Sequence, residues 1–526
     1  MNRSNVHFLD LPDEILLIIL AKLNNIDVHY SLLNIHNKRL GVLCKEKNFS
    51  NILDFTSIKN DSPNACCKFN QICNEILPRL CHNVKYFIVE LNSMERILFA
   101  ANYPNLTQLK IVKFKQDIAL QYFTDESSLR NIFQQQITQL ILINNDTRDI
   151  IGSSENYTKN VYGQIFNLFK NLKHFSVDGT DYCSYPAVTL CNLPSTTLLS
   201  STLTYLCINV YSFDDCLYIL DGRLKQLTTL IVHISYMDDI STVRNIDELA
   251  TFKYFSFKYD YLINSYDTNI LPLLRRMKYL EKLTLYLRVQ NRSTFIDKTH
   301  LENEILSYIP TLQLFTFYIS TYNKTIDLFH NMVAQQSTIY IKNQHVNSII
   351  NYISSWTAVC SVFSIPFAFH RLQDIGNLFP NIIFNHVTYL LVQDIIPFNH
   401  EFFIRVARAF PLLKTLRVFN LESQSSNNTN TCLSKNNNSN LIAEYPHLTV
   451  LDVRSGNIDY VEQFLDETKT YVPCLTELIV TYNHLRIVTN NFTRQETRRN
   501  CANVQRLEMI RPLVHTHDFY VYFPLL

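Results

Sequence analysis

The chain has 526 residues and only seven glycines, at Gly41, Gly152, Gly163, Gly179, Gly222, Gly376 and Gly456. None stand close enough together to make a dinucleotide fingerprint or a phosphate loop, both of which need clustered glycine so that backbone N–H groups reach phosphate. Net charge is nearly absent: 47 Lys and Arg against 46 Asp and Glu leave +1 at pH 7. No global field therefore recruits nucleic acid or an anionic membrane. Long apolar runs are missing too. The run at 15–20 is far short of the roughly twenty residues that cross a bilayer, so no membrane span is expected. The segment 1–7 has no long apolar core before Asp10, Asp13 and Glu14, so no signal peptide is expected. There is no His-Glu-x-x-His and no Gly-x-Ser-x-Gly, and no catalytic residue or cofactor is assigned. The expectation is a protein that is not an enzyme.

Thirteen cysteines are scattered along the chain, several at repeat positions such as Cys207, Cys360 and Cys474. They read as reduced, partly buried thiols of a cytoplasmic or nuclear protein. Cys66, Cys67, Cys73, Cys81 and His82 come nearest to a metal cluster, but adjacent cysteines with wide following gaps do not match zinc spacing. Buried structural thiols are the simpler reading, and no metal is assigned. Arg494, Arg498, Arg499, Arg506 and Arg511 gather near the end, with Glu496 and Glu508 among them. They make either a solvated end face or a site for an acidic partner.

What the sequence does contain is a recurring phrase. An apolar residue is followed three positions later by another and two positions after that by a third, as in Leu106, Leu109, Ile111 or Leu448, Leu451, Val453. Three-then-two spacing fits neither a helix nor a plain alternating strand. It is the inward set of a short strand entered through a tight bend. The phrase starts at Val84, Leu106, Ile137, Leu172, Leu203, Leu227, Phe252, Leu280 and Leu312, and again at Val387, Leu413, Leu448, Leu475 and Val504. The long gap between divides into three if degraded copies stand at Ile339 and Ile341 and at Cys360, Phe363 and Ile365. Between phrases, 94–101, 164–169, 269–277, 301–308, 401–409 and 460–467 carry helical periodicity. Pro104, Pro310, Pro380, Pro411, Pro446 and Pro473 stand just before strand phrases, where proline stops a helix. The unit is helix, stop, short strand, loop, and stacking supplies its core.

This pattern resembles the leucine-rich-repeat family over about four fifths of the chain, with adjacent starts roughly 22 to 35 residues apart. The family's asparagine, three residues after the third apolar position, occurs only at Asn92, Asn145 and Asn483. The resemblance implies an α/β solenoid with a curved parallel sheet and helices outside. The polar stretch 423–440, reading QSSNNTNTCLSKNNNSN over 424–440, is expected as a disordered insertion in one repeat.

The N-terminus differs in kind. Residues 9–26 read LDLPDEILLIILAKLNNI. Pro12 suits a first helical turn, and Asp13 and Glu14 suit the positive end of its dipole. Ile15, Leu16, Ile19, Leu20 and Leu23 make one apolar stripe, and Leu17 and Ile18 widen it. A module of about fifty residues is too small to cover such a helix by itself. Leu11-Pro12-Asp13-Glu14-Ile15-Leu16, then Ile19-Leu20, Leu23 and Asp27, is similar to an F-box, a three-helix module. Its second half, Leu32-Leu33-Asn34-Ile35 then Lys38-Arg39-Leu40, lacks the family's tryptophan; the chain's one tryptophan is Trp356.

The F-box resemblance implies docking onto a Skp-type adaptor, and through it a cullin, by Leu11, Pro12, Ile15, Leu16, Ile19, Leu20, Leu32 and Leu33. A plain amphipathic cap for the repeat array is the alternative for this segment. The expected organisation is an F-box at 1–55, a connector at 56–83 and the repeat solenoid at 84–526. The expected role is substrate recognition for an SCF-type ubiquitin ligase. A repeat scaffold acting outside any ligase is the other reading. A protein substrate of unknown identity would meet the intervening residues of the phrases: His174, Tyr205, His233, Tyr254, Lys258, Tyr286, Tyr318, Arg417, Phe419 and Arg454.

Overall fold

The computed structural model describes residues 8–32, 37–43, 47–58, 63–114, 120–124, 126–144, 154–179, 186–237, 247–324, 335–342, 344–424, 441–509 and 517–526. The chain is mixed α/β, with parallel pairing dominant in its sheets. It divides into two compact units. The first comprises Met1–Tyr259, Asp267–Thr284 and Ile309–Gln313; the second comprises Asp260–Tyr266, Leu285–Tyr308 and Leu314–Leu526.

The first unit opens with helices α1 (Asp13–Leu20), α2 (Asn25–Leu32), α3 (Lys38–Leu43) and α4 (Lys47–Ser50). Strands β1 (Ile52–Asp54), β2 (Tyr86–Glu90), β3 (Gln108–Val112), β4 (Gln139–Asn144), β5 (His174–Gly179), β6 (Tyr205–Ser212), β7 (Thr229–Tyr236) and β8 (Tyr254–Ile263) then follow. Each pairs in parallel with the next. Their buried face is the expected phrase: Phe87 and Val89, Leu109 and Ile111, Leu140 and Leu142, Phe175 and Val177, Leu206 and Ile208, Leu230 and Val232 are all buried.

The bend ahead of each strand has one recurring geometry. The N–H of Leu106 returns to Tyr103 O at 3.2 Å, and that of Leu172 to Phe169 O at 3.3 Å. Leu227 to Leu224, Phe252 to Leu249 and Leu280 to Met277 repeat it at 3.1, 3.3 and 3.2 Å. The first phrase residue thus closes a turn, buries its side chain and launches the strand. The next residue starts the ladder to the preceding repeat: Thr138 N to Thr107 O, Thr204 N to Lys173 O, and Thr228 N to Thr204 O, each at 2.9 Å. That position is often threonine, whose hydroxyl donates to the same carbonyl, as from Thr204 to Lys173 O and from Thr228 to Thr204 O, both at 3.0 Å. The expected helices occur within a few residues of their proposed spans, as at Leu91–Leu98, Gly163–Leu168 and Leu271–Arg275.

In the second unit, β9 (Lys282–Val289) and β10 (Leu314–Lys324) are followed by β11 (Gln335–Ile341), β12 (Gln344–Ser354) and β13 (Thr357–Ser364). The two degraded copies expected around Ile339 and Cys360 are not parallel repeats. β13 runs antiparallel to β10 and β12, and β12 antiparallel to β11. The reason is chain length. Only residues 342–343 separate β11 from β12 and only 355–356 separate β12 from β13, whereas a parallel crossover needs about a dozen.

Parallel order resumes with a strand the phrase had not located, β14 (Arg371–Ile375), then β15 (Tyr389–Gln393) and β16 (Thr415–Phe419). β17 (Ala443–Glu444), β18 (Val450–Asp452), β19 (Thr470–Tyr471), β20 (Glu477–Val480) and β21 (Arg506–Met509) complete the set. β14, β15, β16, β18, β20 and β21 form one sheet, while β17 pairs with β19 apart from it. The helices His400–Ala409 and Ile458–Leu465 lie where helical periodicity placed them. Of the proposed insertion, 425–440 lies outside the described residues.

Candidate partner-binding site

The N-terminal helices hold two small cores. Leu16 packs with Leu40 and Leu43, while Leu20 packs with Val28 and Phe49. Leu17 and Leu32 lie against both, and Leu11 against the first. Polar bonds fix the helices. Arg39 Nε meets Asp13 Oδ1 at 2.6 Å, and its two terminal nitrogens donate to Leu9 O and Leu11 O at 2.8 and 2.7 Å. One arginine therefore ties α3 to the start of α1. Asn25 donates to Ile52 O at 2.8 Å and Asn24 to Asp54 O at 2.9 Å, joining α2 to β1. The His29 ring nitrogen lies 3.1 Å from Phe49 O, and burial lowers that imidazole below its usual pKa.

With Leu16 and Leu20 inside and Leu17 half-buried, the three isoleucines of α1 stay outside. Ile15, Ile18 and Ile19 are 43, 58 and 39% exposed, Leu23 51% and Val42 68%. Positions 15, 18 and 19 share one helix face by their three- and four-residue spacing. A contiguous β-branched stripe open to water on a short helix marks a surface that gains by being covered. Leu16 and Leu20, expected to meet the adaptor, are instead turned inward, because the small bundle needs its own core. Leu11 and Leu32 are half-buried, Pro12 is exposed, and Leu33 lies outside the described residues. Ile18, absent from the expected contacts, is the most open residue of the stripe. Its place in an unbroken apolar run was the signal.

The strand face was expected to receive a substrate. His174 and Tyr205 stack on neighbouring strands, 3.8 Å between ring centroids at 7°. Burial lowers the His174 imidazole and pushes the Tyr205 phenol up to about 12. Thr229 and Tyr254 continue the same register line, and the Tyr254 hydroxyl lies 3.3 Å from Thr284 Oγ1. His233 and Lys258 pair in register on β7 and β8 and are half-buried. In the second unit Arg417, Phe419 and Arg454 are half-buried. Arg417 and Arg454 share Asp452 at 3.3 and 3.1 Å, and Arg454 also reaches Glu508 at 2.8 Å.

Tyr286 and Tyr318 are a correction. Both are buried, stacked at 5.0 Å, with Phe369 against the first and Phe367 against the second. The Tyr318 hydroxyl donates to Gln373 O at 2.7 Å, and Gln373 donates to Tyr286 Oη at 3.2 Å. The segment 367–375 covers this part of the strand face, so neither tyrosine is open to solvent there.

Among the described residues no group of three or more His, Cys, Asp or Glu side chains could hold a metal. Cys66 and Cys67, expected to be buried thiols, are exposed, whereas Cys73 and Cys81 are buried. Of the C-terminal arginines, Arg494 pairs with Asp466 at 2.8 Å, Arg499 with Glu467 at 3.7 Å and Arg506 with Glu477 at 3.5 Å, Arg498 donates to Val521 O at 3.1 Å, and Arg511 lies outside the described residues. Among the described residues no single helix is long and apolar enough to cross a membrane. No model of a known protein family and no curated protein matches the chain.

Proposed function

We propose that the chain is the substrate-recognition subunit of an SCF-type ubiquitin ligase, without catalytic residues of its own. An F-box spanning about residues 1–55 docks a Skp-type adaptor and, through it, a cullin. The leucine-rich-repeat array beyond it holds a protein substrate, in the cytoplasm or nucleus. One observation carries this reading: the exposed stripe Ile15, Ile18 and Ile19 on α1, beside Leu23 and with Val42 on α3. It adjoins the Leu-Pro-Asp-Glu-Ile-Leu string that resembles an F-box start. The repeated turn-and-strand units support the second half of the reading, since solenoids present long binding faces.

The test is Ile15→Asp with Ile19→Asp. Both residues are exposed, so folding survives, whereas Leu16→Asp would break the bundle. Each lost apolar anchor is worth about 1.5–3 kcal/mol, so adaptor affinity should fall by roughly 100-fold or more, and co-purification should vanish. Co-purification that persists in the double variant overturns the ligase role and leaves the repeat scaffold acting outside any ligase.

A further inference from the structure

Strand β11, residues Gln335–Ile341, ends its sheet. It pairs with β12 on one side, and among the described residues no strand pairs with the other. An open edge presents a row of backbone donors and acceptors, and proteins guard such edges with charge, proline, brevity or bulges. The other end strands carry such guards. β1 has three residues, β21 alternates Arg506 and Glu508 with its apolar residues, and β14 contains Arg371 and Asp374 and breaks register between Leu372 and Ile375. β11 reads Gln-Gln-Ser-Thr-Ile-Tyr-Ile, with no charge, proline or glycine over seven residues. Ser337, Thr338 and Tyr340 are exposed, and Ile339 is half-buried.

We propose that this edge is an interface at which a second copy of the chain adds its own β11, antiparallel, across a two-fold axis. Self-pairing centred on Thr338 sets Thr338 against its own image, Ser337 against Ile339, Gln336 against Tyr340 and Gln335 against Ile341. No charge meets a like charge in that register. The chain's net charge of +1 adds almost no long-range repulsion between copies. The geometry also continues what is already there: β13, β12 and β11 are successively antiparallel, so an antiparallel β11 extends the same ladder. Two-fold pairing satisfies both edges at once and leaves no new one, unlike head-to-tail addition.

Sedimentation velocity of the full chain from about 1 to 100 µM tests the proposal, alongside hydrogen exchange at both ends of that range. The expected result is a monomer–dimer equilibrium with amides 335–341 better protected at high concentration. Thr338→Lys sets two ammonium groups opposite one another and should weaken association by at least about tenfold, because directly opposed like charges destabilise a strand pair. Ser337→Lys, which sets a charge against Ile339 twice in the paired register and so replaces two uncharged cross-strand pairs, serves as the second variant should Thr338→Lys lose its circular-dichroism spectrum. Leu421→Lys, at an exposed position elsewhere, should leave the dimer intact. A chain that stays monomeric throughout, or a dimer that neither lysine weakens, overturns the proposal. So does an edge protected only by an unrelated extended peptide.

Discussion

At the scale of single residues, the most consequential side chains of the second unit lie in its interior. Arg288 reaches Asp374 Oδ2 at 3.0 Å and Oδ1 at 3.2 Å, and the Tyr322 hydroxyl donates to the same carboxylate. Burial, the largest single influence, pulls the Arg288 guanidinium down, but the Asp374 carboxylate together with Tyr322, Tyr318 and Tyr286 outweighs it and holds Arg288 above its ordinary value. A buried charge is costly once its partner goes. Asp374→Asn should therefore lose about 3–5 kcal/mol by chemical denaturation, and adding Arg288→Met should recover most of it. Nearby, Gly376 leaves space that other groups fill: a Cβ there would stand 2.5 Å from Asp394 Oδ2 and 2.9 Å from Asn351 Oδ1. Asp394 cannot step aside freely, since it accepts from Asn377 N at 2.7 Å and Ile396 N at 3.0 Å. Gly376→Ala should lower stability by about 1–3 kcal/mol, read as a drop in Tm. None of this cluster was legible in the sequence. Arg288, Asp374 and Asn351 lie on separate strands, and only the antiparallel interruption brings them together.

At the scale of elements, the N-terminal helices and the repeat bends respond to different probes. His29 on α2 is lowered by burial, against a weaker opposing effect of its bond to Phe49 O. Its folded pKa lies below the unfolded value of about 6.5, so the unfolded chain binds more protons between the two. Stability is then full above about pH 6.5 and falls as pH drops from there toward the folded pKa. Hydrogen exchange in α1–α4 should quicken on going from pH 7 to pH 5.5 after correction for intrinsic rates, and His29→Asn should remove most of that response. The repeat bends depend instead on hydroxyls. Thr228→Val keeps the shape but deletes the bond to Thr204 O, and should cost about 0.5–1.5 kcal/mol. These bends were half legible: the apolar phrase located them, while the threonine one step later went unread because its partner lies a whole repeat upstream.

At the scale of the whole molecule, each repeat of the parallel run in the first unit depends on its immediate neighbours. In such arrays stability approaches a sum of unit and interface contributions. Leu230→Ala, at a fully buried site on β7, should cost about 2–5 kcal/mol. Hydrogen-exchange protection should fall most in β6, β7 and β8, and hardly in β1 and β2. Uniform loss across the unit would mean that it unfolds as one block rather than repeat by repeat. The same scale explains where parallel order is suspended. With two-residue links between β11, β12 and β13 the chain can only turn back on itself, whatever its apolar pattern suggests.

The sequence by itself determined the repeating unit, because the three-then-two phrase and the proline stops act within a few residues of backbone. It also determined that α1 carries more apolar surface than a short helix can hide. Only the tertiary structure decided which of those residues point inward, since Leu16 and Leu20 differ from Ile15 and Ile18 in their neighbours and not in their chemistry. It likewise decided that Tyr286 and Tyr318 are covered while Tyr205 and Tyr254 stay half open. Burial of an intervening strand position depends on what another segment lays across it, and that segment, 367–375, lies about fifty residues or more further along the chain.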